Sequence, residues 1–275
     1  MSREIKERSA EPRAADAPAN AQSTVPATRA AAGEIEIDAP IEAVWKALTD
    51  ARELERWFPL EARVEPGEGG AIWMSWRNEY EGEQEILAWD PPRHLKTSWP
   101  MHTGDQPPQV TDYRLETRGG ETIVRVVTSG FPTDAAWDDW VQGTIDGWAF
   151  ELRSLKEYLE RHRGQDREVV YLRRRVELGP EEIWSRMAAP GALGAKPLGA
   201  EAILEAPPRQ WAAIVEKLDG ALMRAGSDPA GEAGSGKRDV TLWLQAWGDA
   251  RKQLPAIRED WSAMLERLYP EGREA

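Results

Sequence analysis

Residues 137–159, WDDWVQGTIDGWAFELRSLKEYL, decide the fold of this chain. Apolar or small side chains recur in this stretch every three or four residues, which places them on one stripe of a long helix. The members of the stripe are Trp137, Val141, Thr144, Trp148, Leu152, Leu155 and Leu159. A helix with a single apolar stripe must bury that stripe against another element, so the sequence predicts that it covers a sheet.

The residues before the helix supply the sheet. A strictly alternating stretch begins at Gly33, and two short helices follow between Pro40 and Trp57. Strand patterns then repeat from Ala62 to Phe131, and Gly119-Gly120 is typical of a hairpin turn. The predicted fold class is therefore α+β, with a curved antiparallel sheet wrapped around the long C-terminal helix of the unit.

The rest of the chain resembles a shorter copy of this unit at both ends. VELGPEEIWSRM at 176–187 aligns with IDAPIEAVWKAL at 37–48, so that Trp184 corresponds to Trp45. DWSAMLERL at 260–268 aligns with GWAFELRSL at 147–155, so that Trp261 corresponds to Trp148. We expect a disordered tail over residues 1–32, a first domain over 33–164, and a shortened, divergent second domain over 165–275.

Composition excludes several classes of function. The net charge of −13 argues against binding to nucleic acid or to an anionic membrane surface. The chain has no cysteine and only three scattered histidines, and no apolar run approaches the length of a membrane span. The sequence predicts a cytoplasmic protein without a metal or other cofactor, and it identifies no catalytic residue.

The stretches IDAPIEAVWKALTD, LERWFP, GEQEILAWDPPRHLKTSW, TIVRVVTSGF and GWAFELRSLKEYL give residues 33–164 a family resemblance. This half of the chain resembles the SRPBCC superfamily, which has the START-like and pollen-allergen-like helix-grip fold. It is most similar to homologues of the C-terminal domain of the activator of the ninety-kilodalton heat-shock protein ATPase. The resemblance implies a cavity between sheet and helix that holds an apolar molecule, and residues 165–275 would then form a second helix-grip-like unit.

Fourteen tryptophans make an aromatic cavity the leading candidate site. Gly143 and Gly147 remove bulk from the long helix beside it, at a cost of about 1 kcal/mol each relative to alanine. The alternative is that the same side chains simply fill one another's space. The candidate ligand-binding residues are Trp57, Phe58, Met74, Trp76, Trp99, Tyr113, Phe131, Trp140, Thr144 and Trp148.

Three functions remain open at this point. The first is binding or carriage of a small apolar molecule without covalent chemistry. The second is a cyclase- or hydrolase-like enzyme that uses His102 or an inward carboxylate, although the strand carboxylates Glu79, Glu81, Glu83, Glu85 and Asp112 are expected on the wet outer face. The third is a co-chaperone-like module that meets a protein partner through the acidic first domain.

Overall fold

The computed structural model describes residues 28–77, 80–99, 108–193, 200–230 and 236–274. It contains two antiparallel sheets and five α-helices within these ranges. The helices are α1 (Ile41–Thr49), α2 (Ala51–Leu54), α3 (Asp138–Arg161), α4 (Pro180–Met187) and α5 (Leu254–Leu268). The strands are β1 (Thr28–Ile37), β2 (Glu61–Glu65), β3 (Ala71–Ser75), β4 (Glu81–Asp90), β5 (His94–Trp99), β6 (Gln109–Arg118), β7 (Glu121–Pro132), β8 (Arg167–Val176), β9 (Ala200–Ala206), β10 (Gln210–Val215), β11 (Ala221–Pro229), β12 (Arg238–Trp247) and β13 (Arg273–Glu274).

The first sheet has seven strands in the order β1-β7-β6-β5-β4-β3-β2. One strand, two short helices, six strands and a long helix follow one another along the chain, and the predicted α+β helix-grip class is confirmed. Gly119-Gly120 forms the predicted hairpin turn, with both glycines at positive φ, a region that glycine enters without steric cost. β1 begins at Thr28, ahead of the expected Gly33, because residues 28–32 extend its ladder with β7.

The second sheet repeats this plan in a shorter form. Its order is β13-β8-β12-β11-β10-β9, so β8, β12, β11, β10 and β9 occupy the places of β1, β7, β6, β5 and β4. Within the described residues, β9 is an edge strand, whereas the corresponding β4 is followed in the first sheet by β3 and β2. The second unit is therefore shorter than the first, as the sequence predicts, because its described sheet has no counterparts of β3 and β2.

Helix α3 lies between the two sheets and packs against both. Its Trp148, Leu152 and Leu155 face the first sheet, as the stripe predicts. Its opposite side is also covered, because Phe150 belongs to the same apolar core as Leu222 and Trp243 of the second sheet. The other face of the second sheet forms a separate core with α4 and α5. The molecule therefore has two cores, and the first one spans both units.

Candidate functional site

Phe58 is the centre of an aromatic cluster beside Trp148 of α3. Its ring stacks on Trp57 at a centroid distance of 5.0 Å and meets the edge of Trp76 at 5.3 Å. Trp148 lies 6.0 Å from Phe58 and contacts Tyr113 edge to face at 5.7 Å. Phe58 lies in the loop after α2, and Leu48 of α1 and Leu54 of α2 line the interior space under the first sheet.

The enclosed space under the first sheet is almost filled. About 10 Å³ remains there, close to the volume of one water molecule's probe sphere. Trp57, Met74 and Tyr113 occupy this space and are nearly inaccessible to solvent. Burial raises the pKa of the Tyr113 hydroxyl. In this part of the interior the aromatic side chains fill one another's space.

Beside the filled interior, a groove of about 280 Å³ opens to solvent between α3 and the ends of β6 and β7. Its walls combine two aromatic rings with hydroxyl, amide and carboxyl groups. They are Phe58, Gln109, Thr111, Thr128, Thr144, Gly147, Trp148 and Glu151. We call this space the α3 groove.

Hydrogen bonds fix the polar wall of the α3 groove. The Trp148 indole Nε1 donates to the Thr128 Oγ1 at 3.0 Å, and the Thr111 and Thr128 hydroxyls lie 3.1 Å apart. Gly147 leaves open space, because a Cβ placed there would meet no atom within 4 Å. The Thr144 hydroxyl donates to the carbonyl of Trp140 at 2.9 Å, which keeps that side chain against its own helix.

Glu151 is the functional candidate that the sequence reasoning missed. Desolvation raises the pKa of its carboxyl to about 7, and Arg224 and Arg167 only partly oppose this effect. Arg224 Nη1 on β11 lies 3.9 Å from Glu151 Oε1. Thr144, Trp148 and Glu151 follow one another at spacings of four and three residues, so the helical period could have identified this carboxylate.

The structure brings only part of the predicted site together. Phe58, Thr144 and Trp148 line the α3 groove, and Trp57, Met74 and Tyr113 fill the interior beside it. Trp76 and Trp99 are half-buried and contact Tyr80 at 6.4 and 5.0 Å respectively. Phe131 is fully buried but lines neither space.

Trp140 lies outside this site and is 65% exposed. Residues 138–140 in the first turn of α3 are all exposed, so an inward orientation is wrong for this residue. The only aromatic contact described for Trp140 is with Trp137, at 6.0 Å.

The other titratable candidates are placed as the outer-face interpretation expects. Glu81, Glu83 and Glu85 are exposed, and the uncharged Gln84 points to the interior instead. Asp112 pairs with His94 at 3.2 Å and with Arg114 at 3.1 Å. Glu79 and His102 lie outside the described residues.

The described parts of the chain lack two further features. No group of three or more histidine, aspartate or glutamate side chains there is arranged to hold a metal ion. Among the helices described, none combines the length and the apolar character that crossing a bilayer requires.

Residues 38–160 match the family model described as Activator of Hsp90 ATPase homolog 1-like protein. Among solved structures, CalU16 from Micromonospora echinospora is 25% identical, with 48% of this chain and 86% of that chain covered and a TM-score of 0.39. The Aha1 dimer from Colwellia psychrerythraea is 22% identical, with 50% and 99% covered and a TM-score of 0.45. DynU16, from the dynemicin biosynthetic locus, is 19% identical, with 88% and 98% covered and a TM-score of 0.42. A search of the curated proteins gave no match.

Proposed function

Because residues 38–160 belong to the Activator of Hsp90 ATPase homolog 1-like family, we propose that the first unit binds a small molecule in the α3 groove. The ligand has an apolar body and a hydrogen-bonding edge. The observation that carries the proposal is the open space beside Gly147, where aromatic rings and hydroxyl groups meet on one wall.

The chemistry of the wall supports this class of ligand. Phe58 and Trp148 offer apolar ring surface, and small-molecule sites are mostly apolar with a few well-placed polar groups. The polar groups include Thr111 and Thr128 on the strands and Glu151 on α3, so the ligand edge that they contact carries hydrogen-bonding groups. The groove volume of about 280 Å³ suits a molecule of two or three fused rings.

The affinity expected from this contact is modest. A ligand that buries about 400 Å² of apolar surface gains roughly 10 kcal/mol at about 25 cal/mol per Å². Association costs at least about 4 kcal/mol. The difference of about 6 kcal/mol corresponds to a dissociation constant of tens of micromolar.

Two glycines of α3 provide a matched test. Both Gly143 and Gly147 are helical, and a Cβ at either position meets no atom within 4 Å, but only Gly147 lines the groove. We expect Gly147→Leu to weaken binding of 1-aminoanthracene at least about tenfold, because the leucine occupies the ligand volume. Quenching of tryptophan fluorescence by the bound dye measures the affinity.

Gly143→Leu is the control, since it makes the same exchange one helical turn away. It should bind the dye like the native chain, and the unfolding midpoints of both variants should be equal to or above the native value. Equal dye affinity in the native chain and Gly147→Leu would contradict the proposal.

A second candidate function rests on Glu151 alone. A carboxyl whose pKa lies at about 7 can exchange a proton with a bound substrate near neutral pH, which a cyclase- or hydrolase-like reaction needs. The test is release of 4-nitrophenol from 4-nitrophenyl acetate. Loss of turnover in Glu151→Gln with unchanged dye affinity would favour the enzyme, and no turnover above buffer in the native chain would exclude this ester hydrolysis.

A further inference from the structure

The two units can be aligned residue by residue through their sheets. Trp89 pairs with Leu95 across β4 and β5, shortly after the bulge between Ile86 and Ala88 in β4. Glu205 pairs with Trp211 across β9 and β10 in the same position relative to a bulge in β9. The turns between the strands also match, since Pro91-Pro92-Arg93 corresponds to Pro207-Pro208-Arg209.

This register shows which side chains occupy equivalent places. Ile86 and Ala202 each lie just before the bulge in their own strand. They pair with Thr97 and Ala213 respectively. One strand further along, Leu95 pairs with Tyr113 and Trp211 pairs with Ala225. The full set of equivalent pairs is Gln84 and Ala200, Ile86 and Ala202, Trp89 and Glu205, Leu95 and Trp211, and Tyr113 and Ala225.

In four of the five pairs the second unit has the smaller or less apolar side chain. Ile86 is completely buried, whereas Ala202 is exposed, so the second unit leaves volume where the first is packed. Trp45 contacts the edge of the Trp89 ring at 5.2 Å. In the second unit Trp184 takes the place of Trp45, and Glu205 takes the place of its ring partner.

The consequence is a cavity of about 330 Å³ under the second sheet, where the first sheet retains about 10 Å³. It lies between α4 and strands β9 to β11, and we call it the α4 cavity. Its walls include Trp184, Met187, Ala202, Glu205, Trp211 and Ala225. Its volume lies at the lower end of the range of about 300 to 1,000 Å³ that is typical of small-molecule sites.

We propose that the α4 cavity is a second binding site, and that its ligand is a planar apolar molecule with a positively charged group. The site is separate from the α3 groove, because Arg224, which faces Glu151 at 3.9 Å, and Ala225, which lines the α4 cavity, point to opposite faces of β11. It therefore does not depend on the function proposed for the first unit.

The ring chemistry of the cavity supports a planar, charged ligand. Trp184 and Trp211 are half-buried against the second core and line the cavity, and among the described residues neither contacts another aromatic ring, so the part of each indole that faces the cavity is available to a ligand. Indole faces attract cations as well as other rings. Glu205 is exposed at the rim and forms no ion pair within the described part of the chain. The carboxylate and the two rings together complement a cationic aromatic molecule.

The test restores the first unit's packing in the second. Ala202→Ile introduces the residue that the first unit has at the equivalent position, and Glu201→Ile places the same side chain on the opposite face of β9. Equilibrium dialysis with thioflavin T, a planar cation, counts the bound dye. We expect Ala202→Ile to lose one bound dye per chain, and Glu201→Ile to lose none.

A second variant tests the charge. Glu205→Gln should weaken thioflavin T binding at this site about three- to tenfold. In chains that also carry Gly147→Leu, which blocks the α3 groove, it should leave the affinity for the neutral dye 1-aminoanthracene within twofold. Circular dichroism and the urea midpoint confirm that each variant is folded. Unchanged dye stoichiometry in Ala202→Ile, or an equal loss in Glu201→Ile, would overturn the site. Equal effects of Glu205→Gln on both dyes would overturn the assigned charge.

Because each variant acts on only one of the two sites, failure of one proposal can be distinguished from failure of the other. Gly147→Leu acts on the α3 groove and Ala202→Ile acts on the α4 cavity. If only the α4 cavity binds dye, Ala202→Ile abolishes binding and Gly147→Leu leaves it unchanged.

Discussion

At the scale of single residues, Glu151 is the group with the clearest pH dependence. Its side chain is 15% exposed, and desolvation raises the pKa of the carboxyl to about 7. The folded state therefore holds the proton more tightly than the unfolded state, whose glutamate pKa is about 4.3. By linkage, this group stabilises the folded state fully below about pH 4.3, and the contribution is lost as the pH rises through about 7.

We predict that Glu151→Gln removes this slope. A pKa difference of somewhat more than two units corresponds to about 3 kcal/mol between the two ends of the window. Urea unfolding at several pH values from 4.5 to 8 measures the free energy of unfolding of both chains. The free energy of unfolding of the variant should rise relative to that of the native chain as the pH rises. A difference between the two free energies that stays constant from pH 4.5 to 8 would show that Glu151 is not the titrating group.

His162 titrates in the opposite sense. It is 1% exposed, stacks on Trp247 at 4.7 Å, and burial lowers the pKa of its imidazole. The folded state thus favours the neutral ring, which stabilises the protein above the unfolded pKa of about 6.5, a contribution that is lost as the pH falls through the lowered folded pKa. The pH series for Glu151 therefore compares the two chains at each pH, so that the contribution of His162 cancels.

At the scale of elements, a buried chain of hydrogen bonds ties α3 to the second sheet. The Ser154 hydroxyl donates to the Trp57 carbonyl at 2.6 Å and accepts from Gln245 Nε2 at 2.6 Å. The Gln245 Oε1 accepts from Trp243 Nε1 and from Arg167 Nη1, each at 3.0 Å. Gln245 is completely buried, so each of these partners depends on it.

We predict that Gln245→Leu destabilises the whole protein by about 2–4 kcal/mol. The leucine is similar in size, but it leaves the donors of Trp243 and Arg167 without this acceptor in a buried site. Lys252→Ala, which removes an exposed ion pair with Asp249, is the control and should change the free energy of unfolding by less than about 0.5 kcal/mol. Urea denaturation measures both, and similar values for the two variants would contradict the role of Gln245.

Element by element, the sequence predicts what depends on periodicity and leaves out what depends on tertiary partners. The stripe of α3 and the duplicated ends follow from spacing alone. The second buried face of α3 does not, since Asp146, Ser154 and Glu157 have the composition of a solvated surface until the second sheet covers them. The sequence also does not show which of the two interiors contains a cavity. A tryptophan fills the space when the side chain opposite is large, and it lines a cavity when that side chain is small.

At the scale of the whole molecule, the two units share one folded core. Apolar residues of both sheets pack on α3 in a single cluster, and Asp146 and Glu151 of the helix face Arg209 and Arg224 of the second unit. Unfolding of either sheet would expose one buried side of α3, which couples the stability of the two units. We therefore expect cooperative unfolding of residues 28–274 as one unit.

Native-state hydrogen exchange provides the measurement. Leu242→Ala truncates a fully buried side chain on the face of β12 that points away from α3, at an expected cost of about 2–4 kcal/mol. If the units unfold together, the most protected amides of β7 lose the same free energy of exchange as those of β12. Val126→Ala, a buried change in β7, is the reciprocal variant and should lower protection in both strands equally. If Leu242→Ala left the protection of β7 unchanged, the two units would unfold independently. The contacts of α3 with both sheets would then not couple their unfolding.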